Sequence, residues 1–230
     1  MKTIGLLGGM SWESTVSYYQ LINEGVKASL GGLHSAKITL YSVDFSEIEA
    51  LQHKGEWDKT AEILIKAAKG LEAAGADFIL ICTNTMHLVA PEIQAGISVP
   101  LLHIADATAE EIVKSGIKKI GLLGTAFTME KDFYKGRLEK EYDLNVIVPD
   151  APDRSLIHQV IYEELCLGKI KDASRNEYLR IINHLVAQGA EGIILGCTEI
   201  ALLVTSNHTN VRLFDTTKIH AHKAVVMALD

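Results

Sequence analysis

The chain repeats itself: three short segments of its first half recur, in the same order, in its second half. The five residues Ile4–Gly8 recur unchanged at positions 120–124, which is 116 residues later. The segment around Gly75 recurs around Gly189 after 114 residues, and the segment from Val99 recurs more weakly from Val211 after 112 residues. Three matches with a slowly drifting offset predict two halves of like fold.

Each half alternates short apolar runs with segments of helical periodicity. Asp58 to Ala74, for example, has the apolar spacing of an amphipathic helix. This alternation predicts βαβ units, and therefore an α/β chain of two pseudo-symmetric three-layer αβα domains with mainly parallel sheets. The repeat predicts one domain over residues 1–105 plus a C-terminal helix at about 216–230, and a second over 106–215. Residues 52–55 and 149–154 are predicted as loops.

Composition narrows the possible functions. The 230 residues carry a net charge of −7, which argues against a nucleic-acid partner because phosphate binding needs a basic surface. The three cysteines have no close spacing, so they predict neither a disulfide framework nor a zinc site. No run reaches the ~20 apolar residues of a membrane span, and the apolar run at the start is short for a signal peptide. We expect a cytoplasmic protein with no membrane partner.

Polar residues follow two corresponding apolar strands. The predicted strand at 189–195 delivers Cys197, Thr198 and Glu199 at its C-terminal end, where α/β sheets bind ligands. Cys197 taken alone is either a small buried hydrophobe or a reactive thiol. At an offset of 114 residues it aligns with Thr83 rather than with Cys82. Thr83 and Cys197 are therefore expected to point at one cleft, while Cys82 points away into packing.

Two glycine-rich turns follow the repeated first strand of each half. In the first, Met10 offers a backbone donor and Ser11 is a predicted N-cap; the second runs from Gly124 to Thr128. Backbone N–H groups and helix starts in such turns bind anions without net positive charge. We expect both turns to line an active site in the interdomain cleft.

Four motifs together resemble the aspartate/glutamate racemase family. They are Gly-Gly-Met-Ser near the start, Asn84-Thr85-x-His87, Gly124-Thr125, and Gly-Cys-Thr-Glu at 196–199. The resemblance covers nearly the whole chain. It implies racemisation of an acidic amino acid without a cofactor, in particular without pyridoxal phosphate, usually in a homodimer. One side chain removes the α-proton and another reprotonates the opposite face.

The resemblance also assigns roles. It makes Thr83 and Cys197 the catalytic pair, with Cys197 serving the L enantiomer. The substrate-binding set that we expect is Met10, Ser11, Gln52, Asn84, Thr85, Thr125, Thr128, Thr198 and Glu199. Gln52 is expected to reach the side-chain carboxylate from its loop. A basic residue for that carboxylate could be His53, Lys54 or Lys169.

The chain departs from the family at one position. Most members carry cysteine at both catalytic positions, and here the first is Thr83, whose hydroxyl is a poor general base near neutral pH. Three interpretations stay open. The enzyme could use Thr83, or a water that it holds, on the second face; it could prefer the L enantiomer as substrate; or it could be a related isomerase or lyase.

The alternatives to a racemase of aspartate or glutamate come from two classes. One is an enzyme related to maleate isomerase, arylmalonate decarboxylase or hydantoin racemase. The other is a protein that binds acidic amino acids without catalysis. Solvent deuterium at the α-carbon would separate the second class from an active racemase, because only an active racemase exchanges that proton.

Overall fold

The computed structural model describes all 230 residues and divides them into two compact units. The first unit comprises Met1–Ile104 and His220–Asp230, and the second comprises Ala105–Ile219. Each unit contains one four-stranded sheet.

Eight strands alternate with eleven α-helices. The strands are β1 (Ile4–Gly8), β2 (Ile38–Ser42), β3 (Phe78–Ile81), β4 (Leu101–Leu102), β5 (Lys119–Gly124), β6 (Asn145–Ile147), β7 (Gly192–Gly196) and β8 (Arg212–Asp215). The helices are α1 (Trp12–Leu30), α2 (Phe45–Lys54), α3 (Trp57–Ala73), α4 (Ala90–Ala95), α5 (Ile104–Lys114), α6 (Ala126–Glu130), α7 (Asp132–Tyr142), α8 (Ala151–Glu163), α9 (Asp172–Ala187), α10 (Ile200–Leu203) and α11 (Thr216–Leu229). Two 3₁₀ turns lie at Thr85–Val89 and Leu165–Leu167. None of these helices combines the length and apolarity needed to cross a bilayer.

The two sheets have the same topology. The strand order is β2-β1-β3-β4 in the first and β6-β5-β7-β8 in the second, and every pair of neighbours is parallel. Helices cover both sides of each sheet, so the predicted fold class is confirmed. Because all strands of a sheet run the same way, the segments that follow them lie along one edge.

Side chains of β3 alternate between two cores, as the period of a strand requires. Ile79 and Ile81 pack in the cluster that α3 and α4 complete. Phe78 and Leu80 pack on the opposite side in the cluster that α1 and α11 complete, and Cys82 joins them there. The first sheet is therefore a middle layer between two helical layers, and Cys82 is a core residue, as expected.

Two predicted loops are wrong. The stretch 149–154 enters α8 at Ala151, with the Asp150 side chain accepting a hydrogen bond from the Asp153 N–H (3.0 Å). Pro152 lies in the first turn of this helix, where proline is tolerated because its missing N–H has no partner to lose. Gln52 lies in α2, which continues to Lys54 and ends at Gly55 in the left-handed conformation (φ 70°).

Gly9 is required for steric reasons. We expect Gly9→Ala to destabilise the protein by about 3 kcal/mol or more, because its φ is +94° and a Cβ would lie 2.3 Å from the Val43 carbonyl oxygen. Gly31→Ala is the matched control: its φ is +74° but a Cβ there meets nothing within 4 Å. That control should cost only about 1–2 kcal/mol. If both variants lose the same free energy of unfolding in urea, the clash with Val43 does not contribute to the destabilisation.

Candidate active site

Polar residues of the first unit gather where β1 and β3 end. The Cys82 N–H donates to the Leu7 carbonyl (2.9 Å), so the turn after β1 and the segment after β3 begin side by side. Thr83 is half-buried, whereas Asn84 and Thr85 are buried. Asn84 is the N-cap of the 3₁₀ turn that starts at Thr85, and Thr83 directly precedes it.

The glycine-rich turn after β1 is held by Thr15. The Gly9 N–H donates to Thr15 Oγ1 (2.8 Å), and the Thr15 hydroxyl donates to the Ser11 carbonyl (3.0 Å). Ser11 is the N-cap of α1, as predicted, with its Oγ accepting from the Ser14 N–H (3.4 Å). The Gly9 N–H and the Ser11 carbonyl and hydroxyl therefore already have hydrogen-bond partners within the turn and the helix that follows it. Sequence analysis missed Thr15, although it follows Ser11 by four residues, the spacing that places both on one helix face.

Gln52 reaches the segment after β3 from a helix rather than from a loop. Its side chain is buried, and its amide donates to the Met86 sulfur (2.8 Å). The structure thus brings Gln52 to the segment that carries Thr83, Asn84 and Thr85. The neighbouring His53 is exposed and pairs with Glu49 through Nε2 (2.8 Å).

The second unit repeats this arrangement at β5 and β7. Gly124 and Gly196 pair in the ladder, so the residues that follow them occupy adjacent strand ends. Thr125 caps α6 by accepting from the Thr128 N–H (3.3 Å), and the two threonine hydroxyls lie 3.2 Å apart. The Ala126 N–H donates to His158 Nδ1 (3.1 Å), a contact across 32 residues that gave no sequence signal.

The Cys197 thiol is hydrogen-bonded to a carboxylate. Its Sγ–H donates to Glu199 Oε2 (2.9 Å), and the Thr198 hydroxyl donates to the same oxygen (2.7 Å). Cys197 and Glu199 are both buried. Burial raises the pKa of Cys197 well above its ordinary value, and the negative charge of Glu199 raises it further. The resting side chain is therefore a protonated thiol with its proton directed at a carboxylate.

Glu199→Gln is expected to make Cys197 more acidic. The variant removes the negative charge that disfavours the thiolate, so the pH midpoint for alkylation of Cys197 by iodoacetamide should move to lower pH. Glu139→Gln, an exposed change in α7, is the control and should leave the midpoint in place. A midpoint that moves to higher pH in Glu199→Gln would contradict this electrostatic account.

Cys82 has a different environment from Cys197. It is fully buried among apolar side chains, and that burial raises its pKa far above the range of a usable thiolate. Its proximity in sequence to Thr83 therefore does not make Cys82 a usable base at the end of this strand.

The ladder registers place Thr83 and Cys197 at equivalent positions. Leu7 pairs with Ile81 in the first sheet, and Leu123 pairs with Leu195 in the second. Leu7 and Leu123 occupy the same place in the repeated five-residue segment. Thr83 and Cys197 each follow the paired residue by two positions, which agrees with the alignment made from sequence.

No group of three or more His, Cys, Asp or Glu side chains is arranged to hold a metal ion. The polar side chains of the predicted site residues are hydroxyls, amides, one thiol and one carboxylate. Their chemistry is that of hydrogen bonding and proton transfer.

Comparison with known proteins agrees with the resemblance seen in the sequence. A family model described as Asp/Glu/hydantoin racemase matches residues 7–224. A candidate Asp/Glu racemase from Yersinia pestis is 59% identical, with a TM-score of 0.93 and full coverage of both chains. An aspartate racemase homologue from Pyrococcus horikoshii OT3 is 38% identical, with a TM-score of 0.86 and full coverage of both. The broad specificity amino-acid racemase RacX of Bacillus subtilis is 26% identical over 96% of each chain.

The repeated parallel sheets and their polar strand ends, taken with these matches, define an amino-acid racemase. The chain belongs to the Asp/Glu/hydantoin racemase family, because the family model covers nearly all of it. The resemblance noted in the sequence and the predicted enzyme class are both confirmed.

Proposed function

We propose that this protein racemises aspartate or glutamate without a cofactor, with Cys197 as the principal acid and base and Thr83 serving the opposite face of the α-carbon. The observation that carries the proposal is the equivalence of the two residues in the β1–β3 and β5–β7 ladders. Inversion requires that a proton leave one face of a carbon and that another arrive at the opposite face. Two equivalent positions in a repeated fold suit that requirement.

The contact between Cys197 and Glu199 suggests how the thiol becomes a base. The Sγ–H proton passes to Glu199 Oε2, which lies 2.9 Å away, and the thiolate then takes the α-proton. The Glu199 carboxyl releases its proton to solvent, so that both side chains return to their resting forms. The electron pair of the C–H bond stays on the α-carbon and delocalises into the α-carboxylate. Glu199 is thus the residue that orients and activates Cys197. The resemblance assigns Cys197 to the L enantiomer, and we adopt that assignment.

Thr83 completes the inversion. Its hydroxyl, or a water that it holds, delivers a proton to the opposite face and recovers one from solvent. A hydroxyl is a much weaker acid than a thiol, so this step is the slower one. The pair is therefore chemically asymmetric, and L is the enantiomer that the faster base serves.

Hydrogen-bond donors must hold the α-carboxylate as its charge grows. We assign this role to Asn84, Thr85 and Thr198, with Met10 and Ser11 contributing from the first turn. Thr125 and Thr128 support the second turn, and Gln52 is the candidate for the side-chain carboxylate. Buried neutral donors stabilise such charge strongly because water does not compete for it.

Chiral chromatography tests the proposed activity. L-aspartate and L-glutamate are each incubated with the protein, and the D enantiomer should accumulate towards an equal mixture. Alanine and homoserine belong in the same panel because RacX, a relative along nearly the whole chain, has broad specificity. Thermal stabilisation by aspartate with no D enantiomer formed would instead favour a binding protein. Loss of carboxylate or a change in an alkene would indicate a related lyase or isomerase.

We further propose a homodimer formed through one apolar face of the first unit. Trp12, Val16 and Tyr19 follow the i, i+4, i+7 spacing of a helix face on α1, and Leu40 of the edge strand β2 lies beside them. Trp12 is 64% exposed and Tyr19 is 54% exposed. At 150–250 Å² per aromatic side chain, these two leave roughly 200–300 Å² uncovered. The half-exposed Val16 and Leu40 extend the patch to several hundred Å², the size of the largest apolar patches on proteins, which are often functional.

A charge at Val16 should break this dimer. Light scattering is expected to give twice the 25.1 kDa chain mass for the unaltered protein and a single chain mass for Val16→Glu. Val113→Glu, a comparably exposed change on α5, should leave the dimer intact. A single chain mass for the unaltered protein would refute the proposal.

We place the protein in the cytoplasm, because buried reduced thiols such as Cys82 and Cys197 persist in reducing compartments.

A further inference from the structure

His87 joins the ends of two neighbouring strands in the first unit. Its Nδ1 lies 2.8 Å from the Thr83 carbonyl oxygen, in the segment after β3. Its Nε2 accepts a hydrogen bond from the Ile104 N–H (3.2 Å), in the segment after β4. The ring is 1% exposed, so both contacts are shielded from water.

These two contacts determine the form of the ring. A backbone N–H can only donate, so Nε2 must carry a lone pair. A carbonyl oxygen can only accept, so Nδ1 must carry the proton. His87 is therefore neutral and protonated at Nδ1, with the Nδ1–H donating to the Thr83 carbonyl.

A second histidine supports the first. The centroid of the His87 ring lies 5.9 Å from that of His220 and 4.5 Å from that of His103, and both contacts are edge-on. His220 Nε2 lies 2.9 Å from the Leu102 carbonyl, so that nitrogen donates, and His220 Nδ1 accepts from the Tyr18 hydroxyl at 2.8 Å. Contact with two other rings and near-complete burial leave His87 little freedom to rotate away from Thr83.

We infer that His87 is a positioning residue, which fixes the Thr83 backbone, and with it the Thr83 hydroxyl, through the hydrogen bond from Nδ1 to the Thr83 carbonyl. The inference rests on the proposed role of Thr83. His87 itself touches no reacting atom, because both of its nitrogens bind backbone groups. Its effect should therefore fall on the step that Thr83 performs and not on the step that Cys197 performs.

Two substitutions each keep one of the two hydrogen bonds of the His87 ring and remove the other. Asparagine carries an amide nitrogen on the carbon that bears Nδ1 in histidine, so His87→Asn keeps a donor for the Thr83 carbonyl. Glutamine reaches as far as Nε2 and offers an oxygen there, so His87→Gln keeps an acceptor for the Ile104 N–H but loses the bond to Thr83. Both variants shrink the buried ring, so they serve as controls for each other.

The experiment uses the full chain and measures α-proton exchange in deuterated water alongside NMR of labelled protein. In His87→Gln the inversion of L-aspartate should slow about tenfold, while deuterium wash-in at the L face stays within twofold. In His87→Asn both rates should stay within threefold. Equal slowing of both rates in both variants would reduce His87 to a residue of general stability and overturn the inference.

Two NMR signals test the positioning without any turnover. The imidazole ¹⁵N shifts of the unaltered protein should report the neutral form protonated at Nδ1. The ¹³C shift of the Thr83 carbonyl should move in His87→Gln and stay nearly unchanged in His87→Asn. A ring protonated at Nε2, or a Thr83 shift that moves equally in both variants, would overturn the inference. If these signals behave as expected and no racemisation occurs, the proposed function fails and the positioning of Thr83 stands.

Discussion

Cys197→Ala is expected to lower the rate of racemisation of L-aspartate or L-glutamate by about 10³-fold or more. Of the two thiols that follow β3 and β7, Cys82 lies in the apolar core, which leaves Cys197 as the thiol at the proposed site. General acid–base catalysis by one side chain contributes about 10²–10⁴-fold. The alanine cannot remove the α-proton, so deuterium incorporation into the L enantiomer should disappear as well. Chiral chromatography and proton NMR in deuterated water measure the two effects.

Cys166→Ala is the control for loss of a thiol in the same unit. Cys166 lies in the second 3₁₀ turn and is half-buried, so its removal should leave the rate within about twofold. Unaltered folding of Cys197→Ala is checked by circular dichroism. If this variant still exchanges the α-proton of L-aspartate at the rate of the unaltered protein, Cys197 is not the base.

Thr83→Cys is expected to raise kcat/KM by about 10²-fold, and equally in the two directions. The enantiomers are equal in free energy, so the ratio of the two kcat/KM values must be one for any racemase. A difference between the two bases can therefore be detected only by comparing kcat or KM for the two enantiomers separately, or by comparing their rates of isotope exchange. A thiol at position 83 would transfer protons more readily than a hydroxyl does, which lowers the higher of the two barriers.

Thr205→Cys adds a thiol away from the strand ends and should leave the rate unchanged. Thr83→Cys should also reduce the excess of deuterium exchange over inversion that we expect with L substrates. If Thr83→Cys leaves both the rate and the exchange ratio unchanged, position 83 does not act on the α-carbon.

The features that sequence analysis predicted well depend on local patterns. The repeated segment ending at Gly8 and Gly124 marks an inner strand of each sheet, because short apolar runs between helices must be buried in an α/β fold. Side chains alternate between the two faces of the sheet along β3, so Cys82 and Thr83, which follow one another, were expected to point to opposite faces. The position of Cys197 at a strand end followed from the same reasoning.

The features that it missed depend on contacts between distant parts of the chain. Gln52 was predicted in a loop, but it lies in a helix and its amide is buried against Met86, 34 residues away. The bond from Ile104 to His87 and the bond from Ala126 to His158 likewise join residues 17 and 32 positions apart. No periodicity encodes such pairs, because they arise only when parallel strands bring their ends together.

Proton NMR of each enantiomer with the protein in deuterated water tests the central claim most directly. Starting from L-aspartate or L-glutamate, the α-proton signal should disappear faster than the D enantiomer forms, because the carbanion returns to Cys197 more often than it is protonated from the side of Thr83. Starting from the D enantiomer, loss of the α-proton should keep pace with formation of the L enantiomer. Retention of the α-proton in both enantiomers would contradict the claim that this protein is a racemase of acidic amino acids. If deuterium exchange runs ahead of inversion by the same factor from the L and from the D enantiomer, the two bases are not asymmetric.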